Sequence, residues 1–210
     1  MKRTNLPHAD YQALLKSITD IIIERGLRAT TMDLVASRLS MSKRTLYEIF
    51  ESKNRMIDEA IDYLNTKHIE AVKHAFESSP TVLEAWLRII YMMRDMIRRF
   101  NVDFFRDMDT YYKEVRGCQR AHEEARNEEF LKVCLRGVEQ GVFRHDLNYS
   151  IQIRIFEIQV ESLKRMEEIF PPDISLTEVY DSICIGFLRS IVTPKGMELV
   201  DSMSASLGKV

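Results

Sequence analysis

Glycine and proline are scarce, at seven and five residues in 210. Few of them fall inside the segments that repeat apolar residues at helical spacing, so little interrupts those segments. Cysteine is scarcer still: Cys118, Cys134 and Cys184 are an odd number, widely spaced and without a CxxC pair. That pattern argues against a disulfide framework and reads as reduced thiols in a cytoplasmic protein. No apolar run approaches the roughly 18 residues that cross a bilayer, so no membrane partner is expected. The nearest is Ile89-Ile90-Tyr91-Met92-Met93. The opening MKRTNLPHADYQ is polar and holds no secretory-type apolar stretch. Internal repeats, low-complexity tracts and linkers are missing too.

Catalytic signatures are equally wanting. The chain has no HExxH, GxSxG or GxGxxG, and no cofactor is expected. None of the five histidines has a glutamate three positions before it, which argues against a di-iron bundle. Cys118 and His122 are one helical turn apart and could share a metal with a distant thiolate such as Cys134. Without a nearer ligand set they read as a half-buried thiol and a surface histidine. No enzyme is expected.

What is present is a soluble composition, 45% hydrophobic and 30% charged, with an uneven charge. Residues 1–57 carry ten Lys/Arg against six Asp/Glu, a net +4, while residues 58–210 carry twenty against twenty-six, a net −6. A basic end on an acidic remainder suits a protein that offers only that end to a polyanion.

The periodicity predicts an all-α fold of about nine helices. Tyr11, Leu14, Leu15, Ile18, Ile21 and Ile22 mark the first, which stops at Gly26. Two short helices follow over 31–39 and 43–50. Ser52 caps a long fourth helix to about 77, and Pro80 opens a fifth with the stripe Leu83, Trp86, Leu87, Ile90, Met93 and Ile97. Further helices cover about 102–112, 118–140, 149–170 and 175–193, with a weaker tail helix after Pro194. On the 149–170 helix the charged residues Arg154, Glu157, Glu161, Lys164, Arg165 and Glu168 fall within an arc of roughly 100°, at about 100° per residue. Apolar residues occupy much of the rest, more than one packed face requires. The 175–193 helix has little charge beyond Glu178, Asp181 and Arg189. This surplus is buried either in the middle of a monomer or against a second copy as a four-helix bundle. Only the polar MELVDSMSASLGKV follows to cover it, which tips the reading toward a homodimer through these two helices.

The most informative stretch is Thr30 to Met56. Thr30 and Asp33 have capping-box spacing, and Met32, Val35, Ala36 and Leu39 form an inner face. Small Ala36 lets a second helix cross closely, and Met41 plugs the connection. Ser42 is a natural N-cap for a helix that buries Leu46, Phe50 and part of Ile49. Lys43, Arg44, Thr45 and Tyr47 are left on or near the outer face. Arg44 suits a guanine edge in the major groove, and Lys43 a base or a phosphate. Thr45 and the Tyr47 hydroxyl suit phosphate oxygens. Lys53 adds charge at the start of the next helix.

Residues 10–57 resemble the N-terminal domain of TetR-type transcriptional regulators. The resemblance rests on Gly26, Thr31-Met-Asp-Leu-Val-Ala36, Met41-Ser42-Lys-Arg-Thr-Leu-Tyr47, Phe50 and Ser52-Lys53. Beyond this quarter of the chain it extends only to helical content, length, and Gln140-Gly-Val-Phe-Arg144 with Asp146-Leu147. The resemblance implies a homodimeric repressor whose last two long helices form the dimer bundle. It also implies middle helices that enclose a small-molecule effector site, with DNA contacts from Thr31, Ser42, Lys43, Arg44, Thr45, Tyr47 and Lys53. Three departures stand out: Ser40 where the family often has glycine, and Glu48 and Ile49 where it often has basic, aromatic or histidine residues, so no DNA contact is carried onto either of the last two. We therefore expect a double-stranded operator as partner, a helix-turn-helix domain over 1–57 and a ligand-sensing, dimerising domain over 58–210. The other reading is a helical ligand-binding or scaffold protein whose helix-turn-helix never meets DNA.

The middle of the chain is rich in aromatics and thioethers. Trp86, Met93, Met96, Phe100, Phe104 and Tyr111 are the candidate ligand contacts, suited to a flat or flexible apolar molecule. The same residues also serve simply to fill the core. Arg94, Arg98, Arg99 and Arg106 read as a solvated face rather than partners of an acidic ligand.

Overall fold

The computed structural model describes residues 7–101, 104–111 and 120–207, with the backbone alone at 105, 109, 111, 120–127 and 204–207. Among them every regular element is helical, apart from one isolated antiparallel bridge between Phe143 and Val192. In order these are α1 (His8–Arg25), α2 (Met32–Arg38), α3 (Lys43–Phe50), α4 (Lys53–Ser78), α5 (Val82–Ile97), α6 (Phe104–Tyr111) and α7 (Arg120–Glu139). Then come α8 (Tyr149–Glu161), a 3-10 turn (Ser162–Arg165), α9 (Met166–Ile169), α10 (Leu176–Ile191) and α11 (Pro194–Leu207). None of the described helices is long and apolar enough to cross a membrane. The chain divides into two compact units, residues 1–71 with 99–108 and residues 72–98 with 109–210. The expected boundary at residue 57 lies early in α4.

In the first unit, α1 buries Leu15, Ile18, Ile21, Ile22 and Ile23. It ends at Gly26, whose N–H still donates to Ile22 O at 2.8 Å while its φ of 82° turns the chain out of the helix. Residues 99–101 and 104–108 close this end. Asn101 N–H donates to Ile23 O at 2.8 Å, Arg99 pairs with Asp20 at 2.7 Å, and buried Asp107 accepts from Arg28 N–H at 3.3 Å. Thr19 ties α1 to α4 by donating to Ala60 O at 3.0 Å, and the Tyr11 hydroxyl donates to Glu59.

In the second unit α5 packs against α7, α10 and α11, and α8 against α7 and α10. Its centre is aromatic. Trp86 meets Phe130 edge-on at 4.7 Å between ring centroids, with Phe143 at 5.6 Å and Phe187 at 5.7 Å; Phe156 lies 4.5 Å from Phe187. The QGVFR stretch closes the turn after α7. Gln140 Oε1 accepts the Val82 N–H at 2.9 Å, and Arg144 clasps Asp146 through two bonds of 3.0 and 2.7 Å. Arg144 N–H donates to Ile191 O at 2.8 Å and Thr193 N–H to Val142 O at 3.0 Å, which stitches this turn to the link between α10 and α11.

Two expectations change and one, the tail helix after Pro194, is met. The single helix over 149–170 is broken: Ser162 Oγ donates to Gln159 O at 2.6 Å, and Arg165 leaves helical geometry at φ −124°, ψ 34°. The tail is a regular fourteen-residue helix, α11, anchored by fully buried Val200. Arg94 is not on a solvated face. It is 9% exposed, stacks on the Tyr91 ring at 4.5 Å and lies 3.8 Å from Asp181.

Candidate nucleic-acid interface

The two short helices are defined by their caps. Thr31 Oγ1 accepts the Leu34 N–H at 3.1 Å and starts α2. Thr30, the expected cap, is buried instead and donates its hydroxyl to Gly26 O at 2.7 Å. The connection turns through Ser40 in left-handed geometry (φ 53°), and Met41 N–H reaches back to Ala36 O at 2.9 Å. A serine there costs about 1 kcal/mol, which glycine would avoid. Ser42 then caps α3, accepting the Thr45 N–H at 3.0 Å while its hydroxyl meets Thr45 Oγ1 at 2.8 Å.

The apolar and polar positions of α3 fall on opposite sides of the helix, so its two faces are sharply separated. Leu46, Ile49 and Phe50 are buried, Ile49 more completely than its position suggested. The opposite face carries Lys43, Arg44, Tyr47 and Glu48. Arg44 is 88% exposed and Tyr47 44% exposed. Both cations already touch a carboxylate: Lys43 Nζ lies 2.9 Å from Asp33 on α2, and Arg44 Nε lies 2.9 Å from Glu48 one turn on. The Asp33 hydrogen bond and charge raise the Lys43 ammonium above its ordinary pKa.

Thr31, Ser42, Lys43, Arg44, Thr45 and Tyr47 thus gather on α2, its cap and the first turns of α3. Lys53 is differently engaged. Its ammonium donates to Arg28 O at 2.9 Å, and burial lowers its pKa against the opposing pull of Asp107. Sequence reasoning missed both carboxylate pairs. The Arg44–Glu48 spacing was a readable signal, whereas Asp33 and Lys43 are ten residues apart.

The candidate ligand contacts fall in both units. Trp86 belongs to the aromatic group of the second unit, half-exposed together with Phe130 and Phe156, which the sequence did not single out. Met93 and Met96 are half-exposed on α5. Phe100 stacks on buried Phe104 at 4.3 Å in the first unit. The Tyr111 side chain, like Cys118, lies outside the described residues. No group of three or more His, Cys, Asp or Glu able to hold a metal occurs among those described. Cys134 and Cys184 are free, buried thiols.

A capped pair of short helices, one holding a cationic face above a buried apolar one, defines a helix-turn-helix DNA-binding protein. Residues 14–60 match the model of "Bacterial regulatory proteins, tetR family". The chain is 30% identical over 160 residues to the HTH-type transcriptional repressor KstR2 of Rhodococcus jostii (strain RHA1), across 67% of this chain and 71% of that protein. It belongs to the TetR family and is a DNA-binding transcriptional regulator. Its fold is shared with a TetR-family regulator from Agrobacterium tumefaciens, at a TM-score of 0.67, 14% identity, and 90% and 100% coverage of the two chains. The TetR-family regulator PfmR of Thermus thermophilus matches at a TM-score of 0.54, 26% identity, and 84% and 97% coverage.

Proposed function

We propose that the chain is a homodimeric repressor whose α3 helices enter successive major grooves of a palindromic operator, and that a small-molecule effector releases it. The observation that carries this reading is the exposure of Arg44 on a helix whose other face is fully buried. Residues 1–57 form the reading head, in which Arg44 meets a base edge. Thr31, Ser42, Lys43, Thr45 and Tyr47 hold the backbone, with Lys53 as a flanking cation. Residues 58–210 sense the effector and dimerise. The apolar stripe Ile151, Ile155 and Ile158 of α8, at 56%, 46% and 64% exposure, is the face a second copy covers, together with α10.

The effector is an apolar, flat or flexible molecule held against Trp86 and its neighbours in the second unit. Of the other candidates, Met93, Met96, Phe100, Phe104 and Tyr111, the two methionines share α5 with Trp86. Release works through half-site spacing, since two recognition helices must stay roughly 34–36 Å apart or a multiple of it. The helix α4, which contributes residues to both units, carries the signal.

A mobility-shift titration with a palindromic duplex from the protein's own upstream region tests the reading. Binding is expected to weaken steeply as salt rises and to collapse in the double variant Arg44→Ala, Tyr47→Phe. Binding indifferent to salt and to both substitutions would leave a ligand-binding or scaffold protein instead.

A further inference from the structure

We infer that Glu48 is a positioning residue for base readout: it holds Arg44 in the orientation that recognises guanine and lowers the affinity of the head for DNA of any other sequence. This rests on the DNA-binding reading of α3 given above and deepens it.

Arg44 and Glu48 are one turn apart on the exposed face of α3, and Glu48 Oε1 accepts from Arg44 Nε at 2.9 Å. The guanidinium is otherwise the most exposed charged side chain of the two short helices, at 88%, against 34% for Glu48. A free arginine at that exposure samples many rotamers and must give them up on binding. The Glu48 contact at the inner nitrogen, Nε, biases the guanidinium toward one orientation beforehand. Guanidinium has five N–H donors in a rigid fork, so the terminal Nη pair remains for the O6 and N7 acceptors of a guanine. A carboxylate at Nε and a guanine at the Nη end are therefore compatible in one plane.

The same carboxylate is unfavourable toward phosphates. It places a negative charge on the face that must approach a polyanion and offsets the positive charge of Arg44. A head selected only for tight binding to DNA would gain from losing Glu48. Its presence at this position is explained if discrimination between sequences is what it supplies. The prediction has two parts of opposite sign, which a loss of folding would not produce.

The test uses the full-length wild type, Arg44→Ala, Glu48→Ala and Glu48→Gln. Each is used to select sites from a random duplex pool, then titrated by fluorescence anisotropy on the wild-type site, that site with each guanine replaced in turn, and a scrambled duplex. We expect the wild type to select a guanine in each half-site that Arg44→Ala no longer selects. Glu48→Ala should lower the preference for that guanine by about tenfold, within the range of one good bidentate contact. It should also bind the scrambled duplex more tightly, with a salt slope steeper by about one phosphate contact. Glu48→Gln keeps an oxygen that accepts from Nε, so it should retain the guanine preference while still gaining affinity for the scrambled duplex. If Glu48→Ala keeps the wild-type preference, or loses affinity equally on both duplexes, the positioning role is overturned. If the wild type selects no sequence at all, the DNA-binding reading itself fails.

Discussion

The ring of Phe143 lies directly over the backbone of Gly137. A Cβ at position 137 would stand 2.1 Å from Phe143 Cδ2 and 2.5 Å from Cε2, inside any contact real atoms make. Phe143 is 1% exposed and joins the Trp86 aromatic group, so its ring has nowhere to retreat.

Gly137→Ala is therefore expected to destabilise the protein by about 1–3 kcal/mol or more, as overpacking does in a closed core. Urea unfolding at equilibrium checks it. Gly137→Ala paired with Phe143→Leu should recover part of the loss, because the smaller side chain vacates the space.

Glu51 follows α3 with a φ of 65°, and its N–H reaches Tyr47 O at 3.0 Å. A side chain in that region is strained, and a carboxylate at a helix C-terminus opposes the helix dipole. Glu51→Gly should stabilise by about 0.5–1 kcal/mol, net of the entropy that glycine adds to the unfolded chain. Glu51→Ala should give no comparable gain. Thermal unfolding of the two variants separates the outcomes.

Burial pushes the thiols of Cys134 and Cys184 up from 9.0 to about 12, with the Tyr180 hydrogen bond opposing it at Cys184. Both folded values lie above the unfolded one, so the folded state holds these protons more tightly. Their contribution is complete below about pH 9 and is lost as pH rises from there toward 12. Stability should fall with pH over this window, and Cys134→Ala with Cys184→Ala should flatten the fall. Native protein at about pH 8 should react slowly with a thiol reagent at both positions, and rapidly once unfolded.

Ile155→Asp with Ile158→Asp places two charges on the exposed stripe of α8 without touching the buried Ile153 side of that helix. Sedimentation should show the double variant as a monomer with an unchanged far-ultraviolet spectrum. Its affinity for the operator should drop by much more than the loss of one direct contact. A variant that still sediments as a dimer would move the proposed interface elsewhere.

Where local chemistry decides the structure, the sequence was readable. Ser42, Ser52 and Gly26 act where their residue types pointed, because caps and left-handed positions depend on one or two neighbours. The cap of α2 slipped by one residue. Thr30 and Thr31 are chemically alike, and only the packing of Thr30 against Gly26 O separates them. The break at Ser162–Arg165 was invisible because Ser-Leu-Lys-Arg is compatible with helix; within it Leu163 alone is buried. Arg94 looked solvated because Asp181, the carboxylate beside it, lies on a helix far away in sequence. The aromatic group around Trp86 escaped for a similar reason. It draws Phe130, Phe156 and Phe187 from three other helices, and no single periodicity links them.

The turn after α7 is a poor place to lengthen the chain. Chain connections ordinarily tolerate added length, since their backbones face water. Here Val142 and Phe143 are sealed in, and the main chain on either side is laced to residues 191–193. A peptide tag spliced between Gly141 and Arg144 would have to unpick that seam and should leave the protein insoluble. The same tag placed at Pro171–Asp173, where every residue faces solvent, should be carried without harm.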